Sequence, residues 1–119
     1  MNAFQSLMKT LFATGVTTVS AEDAKQRLNN SKPPFVLDVR QPAEFKAGHI
    51  ANAKLIPLDQ LGARMNELPN DREILCVCRS GGRSGMAARQ LVGAGYTVLN
   101  LSGGLTSWEH AGYPTQKGK

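Results

Sequence analysis

The chain has 119 residues, of which 41% are hydrophobic, and this size is typical of one domain with an ordinary core. Fourteen basic and nine acidic residues give a formal net charge of +5 at pH 7, which suits an anionic substrate. Because the basic residues are dispersed and there are only one Trp, two Tyr and four Phe, the composition argues against a nucleic-acid-binding surface.

Residues 1–15 are predicted to form an amphipathic extension. Its apolar side chains are separated by three and four positions, as on one face of a helix. They are Phe4, Leu7, Met8, Leu11 and Phe12. The segment is too short to span a bilayer, so we interpret it as a helix that covers an apolar patch or a partner surface. Two alternatives stay open: a signal peptide for periplasmic export, cleaved near residues 19–21, and docking to a membrane surface.

A strand, a helix and a second strand are predicted next. Residues 16–19 are rich in β-branched side chains, and Ser20 is placed to cap a helix that runs to Leu28. Residues 35–39 are predominantly apolar and predict a buried strand. This strand should end near Arg40, because the residue after Arg40 precedes a proline.

The middle of the chain contains the patterns of another helix and of a further buried strand. Four apolar residues share the spacing of one helix face, and Pro69 should stop that helix. They are Leu58, Leu61, Met65 and Leu68, and we interpret them as core. The short apolar run Ile74–Val77 is typical of a strand buried on both faces, which indicates a parallel sheet.

The run Cys-Arg-Ser-Gly-Gly-Arg-Ser at 78–84 connects that strand to a further predicted helix. Residues 85–92 have helix-forming composition, and Gly93 and Gly95 tolerate the left-handed conformation that closes a helix. A helix amino terminus presents unpaired backbone N–H groups and a partial positive charge. The loop therefore joins the carboxyl end of a strand to an anion-binding helix end.

Cys78 lies in front of that helix end. Gly81 and Gly82 let the backbone curl so that several N–H groups face one sulfur atom, while Arg79 and Arg83 add positive charge. These surroundings favour the thiolate, the form in which cysteine reacts. We interpret Cys78 as an activated nucleophile, the alternative being an inert cysteine at a strand end.

The two cysteines do not suggest a disulfide framework or a metal site. Cys76 precedes Cys78 by two positions and should point to the same side of the sheet, deeper under the loop. With only His49 and His110 elsewhere, the spacing matches no zinc motif. A reducing compartment is expected, which favours a cytoplasmic location.

The chain ends with a predicted strand, Val98–Leu101, and a helix that carries Leu105 and Trp108. Residues 115–119 are polar and basic, and we expect them to form a mobile tail.

From residue 16 to 114 the sequence resembles the rhodanese family of sulfurtransferases. Besides the loop, a series of short motifs has the family's order and spacing. They are Asp38-Val39-Arg40, Glu44-Phe45, Gly48-His49-Ile50, Asn52-Ala53, Ile56-Pro57, Gly103-Gly104, Trp108 and Gly112-Tyr113-Pro114. The resemblance implies an α/β fold with an open, mostly parallel sheet of about five strands and helices on both faces.

The resemblance also implies a thiosulfate:cyanide type of sulfurtransferase. Cys78 would be catalytic and carry a persulfide, held by the backbone N–H groups of a substrate-binding loop. This loop consists of Arg79, Ser80, Gly81, Gly82 and Arg83. The implied partners are a small anionic sulfur donor and a thiol or cyanide acceptor, with a protein acceptor as a further choice. No metal or organic cofactor, nucleic acid or membrane is expected.

Within the family pattern, several conspicuous side chains are interpreted as structural. Asp38 and Arg40 would brace the strand end, through ion pairing with Glu44 or through the backbone. His49 would be satisfied by backbone hydrogen bonds and lead into a strand at 53–56. Trp108 is expected to pack in the core, near the rim of the site.

Two other functions stay open. Related phosphatases use the same anion-binding loop but place the arginine one position further from the cysteine than Arg83 lies from Cys78. A noncatalytic binding or sulfur-carrier module would normally lack the cysteine, which this chain keeps.

Overall fold

The computed structural model describes residues 15–119, so the amphipathic helix predicted for the first 15 residues lies outside the described part of the chain apart from Gly15. The strands are β1 (Thr17–Val19), β2 (Phe35–Asp38), β3 (Lys54–Leu55), β4 (Ile74–Val77) and β5 (Val98–Leu101). The α-helices are α1 (Ala21–Leu28), α2 (Pro42–Ala47), α3 (Leu61–Arg64), α4 (Gly82–Gly93) and α5 (Gly104–His110). Among these residues no helix is both long enough and apolar enough to cross a bilayer.

The five strands form one sheet in the order β1-β5-β4-β2-β3, and each neighbouring pair is parallel. β4 occupies the middle of the sheet, and all four of its residues are buried. The apolar run Ile74–Val77 is therefore a strand buried on both faces, as predicted, since a parallel strand covered on both sides has no solvent-facing polar side.

Two apolar clusters cover the two faces of this sheet. On one face α4 contributes Ala87, Ala88 and Leu91, which pack with Cys76 and Cys78 of the β4 segment. The residues of the opposite cluster come from α1, α5 and the alternating strand positions. They include Ala24, Leu75, Val77, Leu99, Leu105 and Trp108. The predicted fold class, an open parallel sheet with helices on both faces, is confirmed.

The chain between β3 and β4 differs from the single helix predicted there. It forms a 3-10 turn at Leu58–Gln60, then α3, then a second 3-10 turn at Met65–Glu67. Gly62 and Asn66 are weak helix formers, so apolar spacing alone does not sustain a regular helix. Leu61 and Leu68 are nevertheless buried, which confirms their core role.

The end of the chain is bound to the rest of the domain, so the expectation of a mobile tail at 115–119 is wrong for Gln116 and Gly118. Gln116 and His49 exchange two backbone hydrogen bonds of 2.7 and 2.8 Å. The Gly118 N–H donates to the Lys46 carbonyl at 2.9 Å. Backbone pairing of this kind leaves no mark in the side-chain composition, which is why the polar sequence did not predict it.

Candidate active site

Cys78 directly follows the central strand β4 and precedes the amino end of α4, as the loop sequence predicts. Cys78 is only 1% exposed to solvent. α4 begins at Gly82, three positions before the predicted start at 85, because Gly81 takes a left-handed conformation with φ +106° and turns the chain sharply. The loop proper is therefore short, and Gly82 and Arg83 belong to the first helical turn.

The sulfur of Cys78 is held by hydrogen-bond donors from this turn. The Gly81 N–H donates to Sγ at 3.0 Å. Burial raises the pKa of Cys78, but hydrogen bonds from the Ser84 hydroxyl and from the N–H groups of Ser84, Gly81 and Ser80 outweigh it, leaving the pKa below the usual value for cysteine. The helix end thus favours the thiolate.

The other side of the loop is fastened to the amino end of α5. The N–H groups of Leu105 and Thr106 donate to the carbonyls of Cys78 and Arg79, at 2.8 and 3.1 Å. Gly104 makes this approach possible, because a Cβ there would lie 2.6 Å from the Arg79 carbonyl carbon and against the Cys78 oxygen. These contacts occupy the loop carbonyls and leave the loop N–H groups for the sulfur.

Arg83 does not offer a free charge to a ligand. Its guanidinium forms a bidentate ion pair with Glu44, with N–O distances of 2.7 and 2.8 Å. The hydrogen bond from Arg83 is the main reason that the pKa of Glu44 falls to about 2, so the pair stays ionised at neutral pH. Arg79, by contrast, is exposed and forms no ion pair with any residue from 15 to 119.

Asp38 and Arg40 form a buried ion pair at the end of β2, each 1% exposed. Arg40 Nη2 lies 2.8 Å from an Asp38 carboxylate oxygen and donates to the Gly48 carbonyl at 2.7 Å. Of the two expected alternatives the backbone contact is present, whereas Glu44 forms its ion pair with Arg83 instead of Arg40.

His49 and Trp108 are both packed in the domain. The His49 ring stacks on Phe45 with centroids 3.7 Å apart, and its Nδ1 lies 2.8 Å from the Phe45 carbonyl. A carbonyl only accepts, so Nδ1 carries the proton. Trp108 is 2% exposed and donates to the Pro114 carbonyl at 2.9 Å. These contacts agree with the structural roles expected for both side chains.

Cys76 lies under the loop, in the same apolar cluster as Cys78, as strand periodicity predicts. It is fully buried, and burial raises its pKa to about 12. Both cysteines are free thiols. In the described chain no three His, Cys, Asp or Glu side chains come together as metal ligands would.

A cleft of about 440 Å³ opens beside the loop. Arg79 forms part of its wall, together with Glu44 of α2 and Leu105 and Glu109 of α5, while Ala43, Ala47 and Gly48 supply small surfaces. The cleft is therefore large enough to hold a small molecule in contact with Arg79.

Four residues shape this site through contacts that the sequence interpretation did not predict, although Glu44, Ser84 and Gly104 belong to the motifs quoted for the loop or the family. Glu44 forms an ion pair with Arg83, and Gly104 leaves room for the loop backbone. Ser84 and Asn100 form a hydrogen bond of 2.6 Å with each other. The one local signal was Asn100 itself, a polar residue within the otherwise apolar strand Val98–Leu101. The partners of the other three depend on the tertiary fold.

Comparison with known proteins gives one consistent family. The family model described as Rhodanese-like domain matches residues 20–111. A protein named sulfurtransferase, from Allochromatium vinosum, is 39% identical over 100 residues, which are 83% of this chain and 94% of that protein. YrkF of Bacillus subtilis, named as a candidate sulfur carrier protein, is 36% identical over 81% of this chain, and the match covers 52% of its own length.

Two solved structures resemble the fold closely. A rhodanese-related protein from Thermoplasma volcanium has a TM-score of 0.79 and 32% identity, covering 84% of this chain and 97% of its own. A rhodanese-like domain protein from Staphylococcus aureus has a TM-score of 0.78 and 30% identity, covering 87% and 99%.

Proposed function

Because the chain belongs to the rhodanese-like domain family, we propose that it is a sulfurtransferase that carries sulfane sulfur on Cys78. Similarity to a named sulfurtransferase supports the transferase role. The observation that carries the finer proposal is the contact of Cys78 Sγ with the Gly81 N–H at 3.0 Å, at a helix end that favours the thiolate. The donor we propose is thiosulfate, and the acceptor is cyanide or a thiol.

The proposed reaction has two steps. The Cys78 thiolate attacks the outer sulfur of thiosulfate, forming a sulfur–sulfur bond, while the bond from that sulfur to the sulfonate group breaks and its electron pair leaves with sulfite. Cyanide or an acceptor thiolate then attacks the outer sulfur of the persulfide. Thiocyanate or an acceptor persulfide forms, and the electron pair of the broken bond restores the Cys78 thiolate. Covalent transfer of this kind predicts ping-pong kinetics.

The loop is suited to hold a single anionic sulfur atom. The Gly81 N–H donates to Cys78 Sγ, and the donors of this turn lower the pKa of Cys78, so they stabilise the negative charge of the resting thiolate and of the leaving thiolate in the second step. Because Cys78 is only 1% exposed, a donor with a small terminal atom reaches the sulfur most easily. Thiosulfate, whose transferable sulfur is terminal, meets this requirement.

Phosphatase activity is disfavoured by the state of Arg83. Phosphoryl transfer needs a cation that spans the equatorial oxygens of the phosphoryl group. Here the guanidinium of Arg83 is bound at both ends by Glu44, at 2.7 and 2.8 Å. The short loop and this ion pair together argue for sulfur rather than phosphorus as the transferred atom.

The proposal is tested by assaying the purified protein for thiocyanate formation from thiosulfate and cyanide, beside hydrolysis of a small aryl phosphate. We expect sulfur transfer with ping-pong kinetics and no phosphatase turnover. Phosphatase turnover without thiocyanate formation would overturn the proposal, and slow sulfur loading without repeated turnover would indicate a carrier instead.

Arg79→Ala is expected to weaken thiosulfate use more than mercaptopyruvate use. Arg79 is the loop cation without an ion pair among residues 15–119, and thiosulfate carries two negative charges whereas mercaptopyruvate carries one. Since Arg79 is exposed, solvent screens the contact, and we expect kcat/KM for thiosulfate to fall about tenfold, or about 1.4 kcal/mol. Arg89→Ala, which removes an exposed arginine of α4, is the control. Equal losses for both donors would refute a role of Arg79 in donor choice.

A further inference from the structure

On the face of the sheet that α1 and α5 cover, a cavity of about 330 Å³ opens at the amino end of β2. Its floor is buried and apolar, since Val36 and Ile50 are each 3% exposed and Trp108 is 2% exposed. Phe35 and three prolines extend this apolar lining. Small-molecule sites measure ~300–1,000 Å³, and a cavity of about 150 Å³ already holds benzene, so this one has room for a ligand with one or two rings.

This cavity is separate from the cleft beside Cys78. The two have no lining residue in common. Phe35 pairs with Ile74, the first residue of β4, whereas Cys78 directly follows the last residue of the same strand. The cavity therefore lies toward the amino ends of the parallel strands, and the proposed sulfur chemistry at their carboxyl ends does not use it.

The charged side chains that line the cavity are both basic. They are Lys25, which is half-buried, and Arg72, which is exposed, and no Asp or Glu of the described chain joins them. We call these two the rim cations. Neither forms an ion pair with any residue from 15 to 119. A ligand at this rim therefore meets two positive charges that are not neutralised by a protein carboxylate.

Both rim cations already lie over aromatic rings and keep donors for a ligand. Lys25 Nζ is 6.0 Å from the centroid of the Tyr113 ring, and the guanidinium carbon of Arg72 is 5.6 Å from that of Phe35. Arg72 has five N–H groups, and one of its nitrogens, Nη2, donates to the Pro33 carbonyl at 2.9 Å. The remaining N–H groups can bind a carboxylate, for which the guanidinium geometry is suited.

We propose that this cavity binds a small aromatic carboxylate, with its ring on the apolar floor and its charge at the rim cations. The indole of Trp108 and the ring of Phe35 supply the flat apolar surface that an aromatic ring packs against. The two carboxylates that flank Arg72 in the chain do not oppose this charge from inside the cavity. Asp71 and Glu73 line a neighbouring cleft, and Glu73 lies 3.7 Å from Arg27 as its ion-pair partner.

The indole N–H of Trp108 gives a direct measurement of binding. Trp108 is the one tryptophan of the chain, so the ¹⁵N-labelled protein has a single indole cross-peak in a ¹H–¹⁵N correlation spectrum. This N–H donates to the carbonyl of Pro114, which also lines the cavity. Adding phenylacetate to the 119-residue protein should move the peak saturably. We expect a Kd on the order of 1 mM or below, as for a ligand of about ten non-hydrogen atoms.

Two matched ligands separate the ring from the charge. Phenylacetamide has the ring and nearly the same size but no charge, whereas acetate has the charge and no ring. We expect phenylacetamide to bind at least about fivefold more weakly, because it loses the charge-assisted contacts, and acetate to give no saturable movement. An equal Kd for phenylacetate and phenylacetamide, or an equal response to acetate, would overturn the proposal.

The rim cations are tested one at a time. Arg72→Gln and Lys25→Gln should each raise the Kd for phenylacetate about threefold to tenfold, the effect of one partly screened charge-assisted contact. Arg89→Gln is the matched control, since it removes an exposed arginine of α4, which packs on the opposite face of the sheet, and it should leave the Kd unchanged. An unchanged Kd in both rim variants, or an equal rise in Arg89→Gln, would refute the assignment of the charge to this rim.

Other occupants of the cavity give different results. Binding that appears only after removal of residues 1–14 would assign the cavity to that segment. A wild-type dimer that becomes monomeric in the rim variants, measured by sedimentation, would assign it to a second copy of the chain, and either result would overturn the proposal. Cys78→Ser should bind phenylacetate as tightly as the wild type, so the test does not depend on sulfur transfer. Loss of binding in that variant would place the ligand at the reactive loop instead.

Discussion

Cys78→Ser is expected to lower thiocyanate formation on the order of 10⁴-fold or more, because a hydroxyl at neutral pH is neither a thiolate-like nucleophile nor able to form a persulfide. The fold should survive, since serine is close to cysteine in size and the Gly81 N–H that lies 3.0 Å from the sulfur can donate to an oxygen instead. Steady-state thiocyanate formation measures the loss, and urea unfolding of the same sample verifies that the domain is folded.

Cys76→Ser is the matched control for that loss. Cys76 lies under the same loop, but it is fully buried and its pKa is raised to about 12, so it is a neutral thiol during turnover. Most activity should remain in this variant. If a folded Cys76→Ser protein lost turnover as completely as Cys78→Ser, Cys76 would have to act as a resolving thiol, and transfer through Cys78 alone would be wrong.

Gly104→Ala is expected to lower the free energy of unfolding by about 3 kcal/mol or more and to remove most activity. A Cβ at this position meets the Cys78 oxygen and lies 2.6 and 2.7 Å from the carbonyl carbon and oxygen of Arg79. These are backbone atoms of the reactive loop, so the clash is relieved only if the loop and the amino end of α5 move apart. Urea unfolding and sulfur transfer measured on the same preparation separate the two losses.

Gly112→Ala isolates the contribution of backbone conformation. Gly112 and Gly104 both have positive φ, at +81° and +56°, but a Cβ at Gly112 has no atom within 4 Å. Gly112→Ala should therefore lower the free energy of unfolding only by the cost of holding alanine in the left-handed conformation, about 1 kcal/mol. Sulfur transfer should be nearly unchanged. Similar losses of stability and activity in the two variants would show that the approach of Gly104 to the loop has no special importance.

Local patterns predicted most of the architecture. The buried strands are short apolar runs whose burial on both faces marks them as members of a parallel sheet, and the two-residue period placed Cys76 beneath Cys78. Ser20 acts as the predicted cap of α1, with its hydroxyl accepting from the Asp23 N–H at 3.0 Å. These features depend on neighbours within a few residues, so a single sequence contains them.

Interactions between distant segments were not predictable in the same way. Glu44 and Arg83 are 39 positions apart, and nothing in the sequence around either residue indicates that the two form an ion pair. The same holds for the backbone bonds of Gln116 with His49. The bond between Ser84 and Asn100 is more accessible to sequence reasoning, since a polar residue in the apolar strand β5 should have a buried partner.

The persulfide on Cys78 is tested most directly by the intact mass of the protein after incubation with thiosulfate and removal of small molecules. We predict a gain of one sulfur atom, located on Cys78 by peptide mass spectrometry, absent in Cys78→Ser and lost when cyanide is added. A protein that forms thiocyanate while its mass stays unchanged, or that carries the added sulfur on Cys76, would contradict transfer through Cys78.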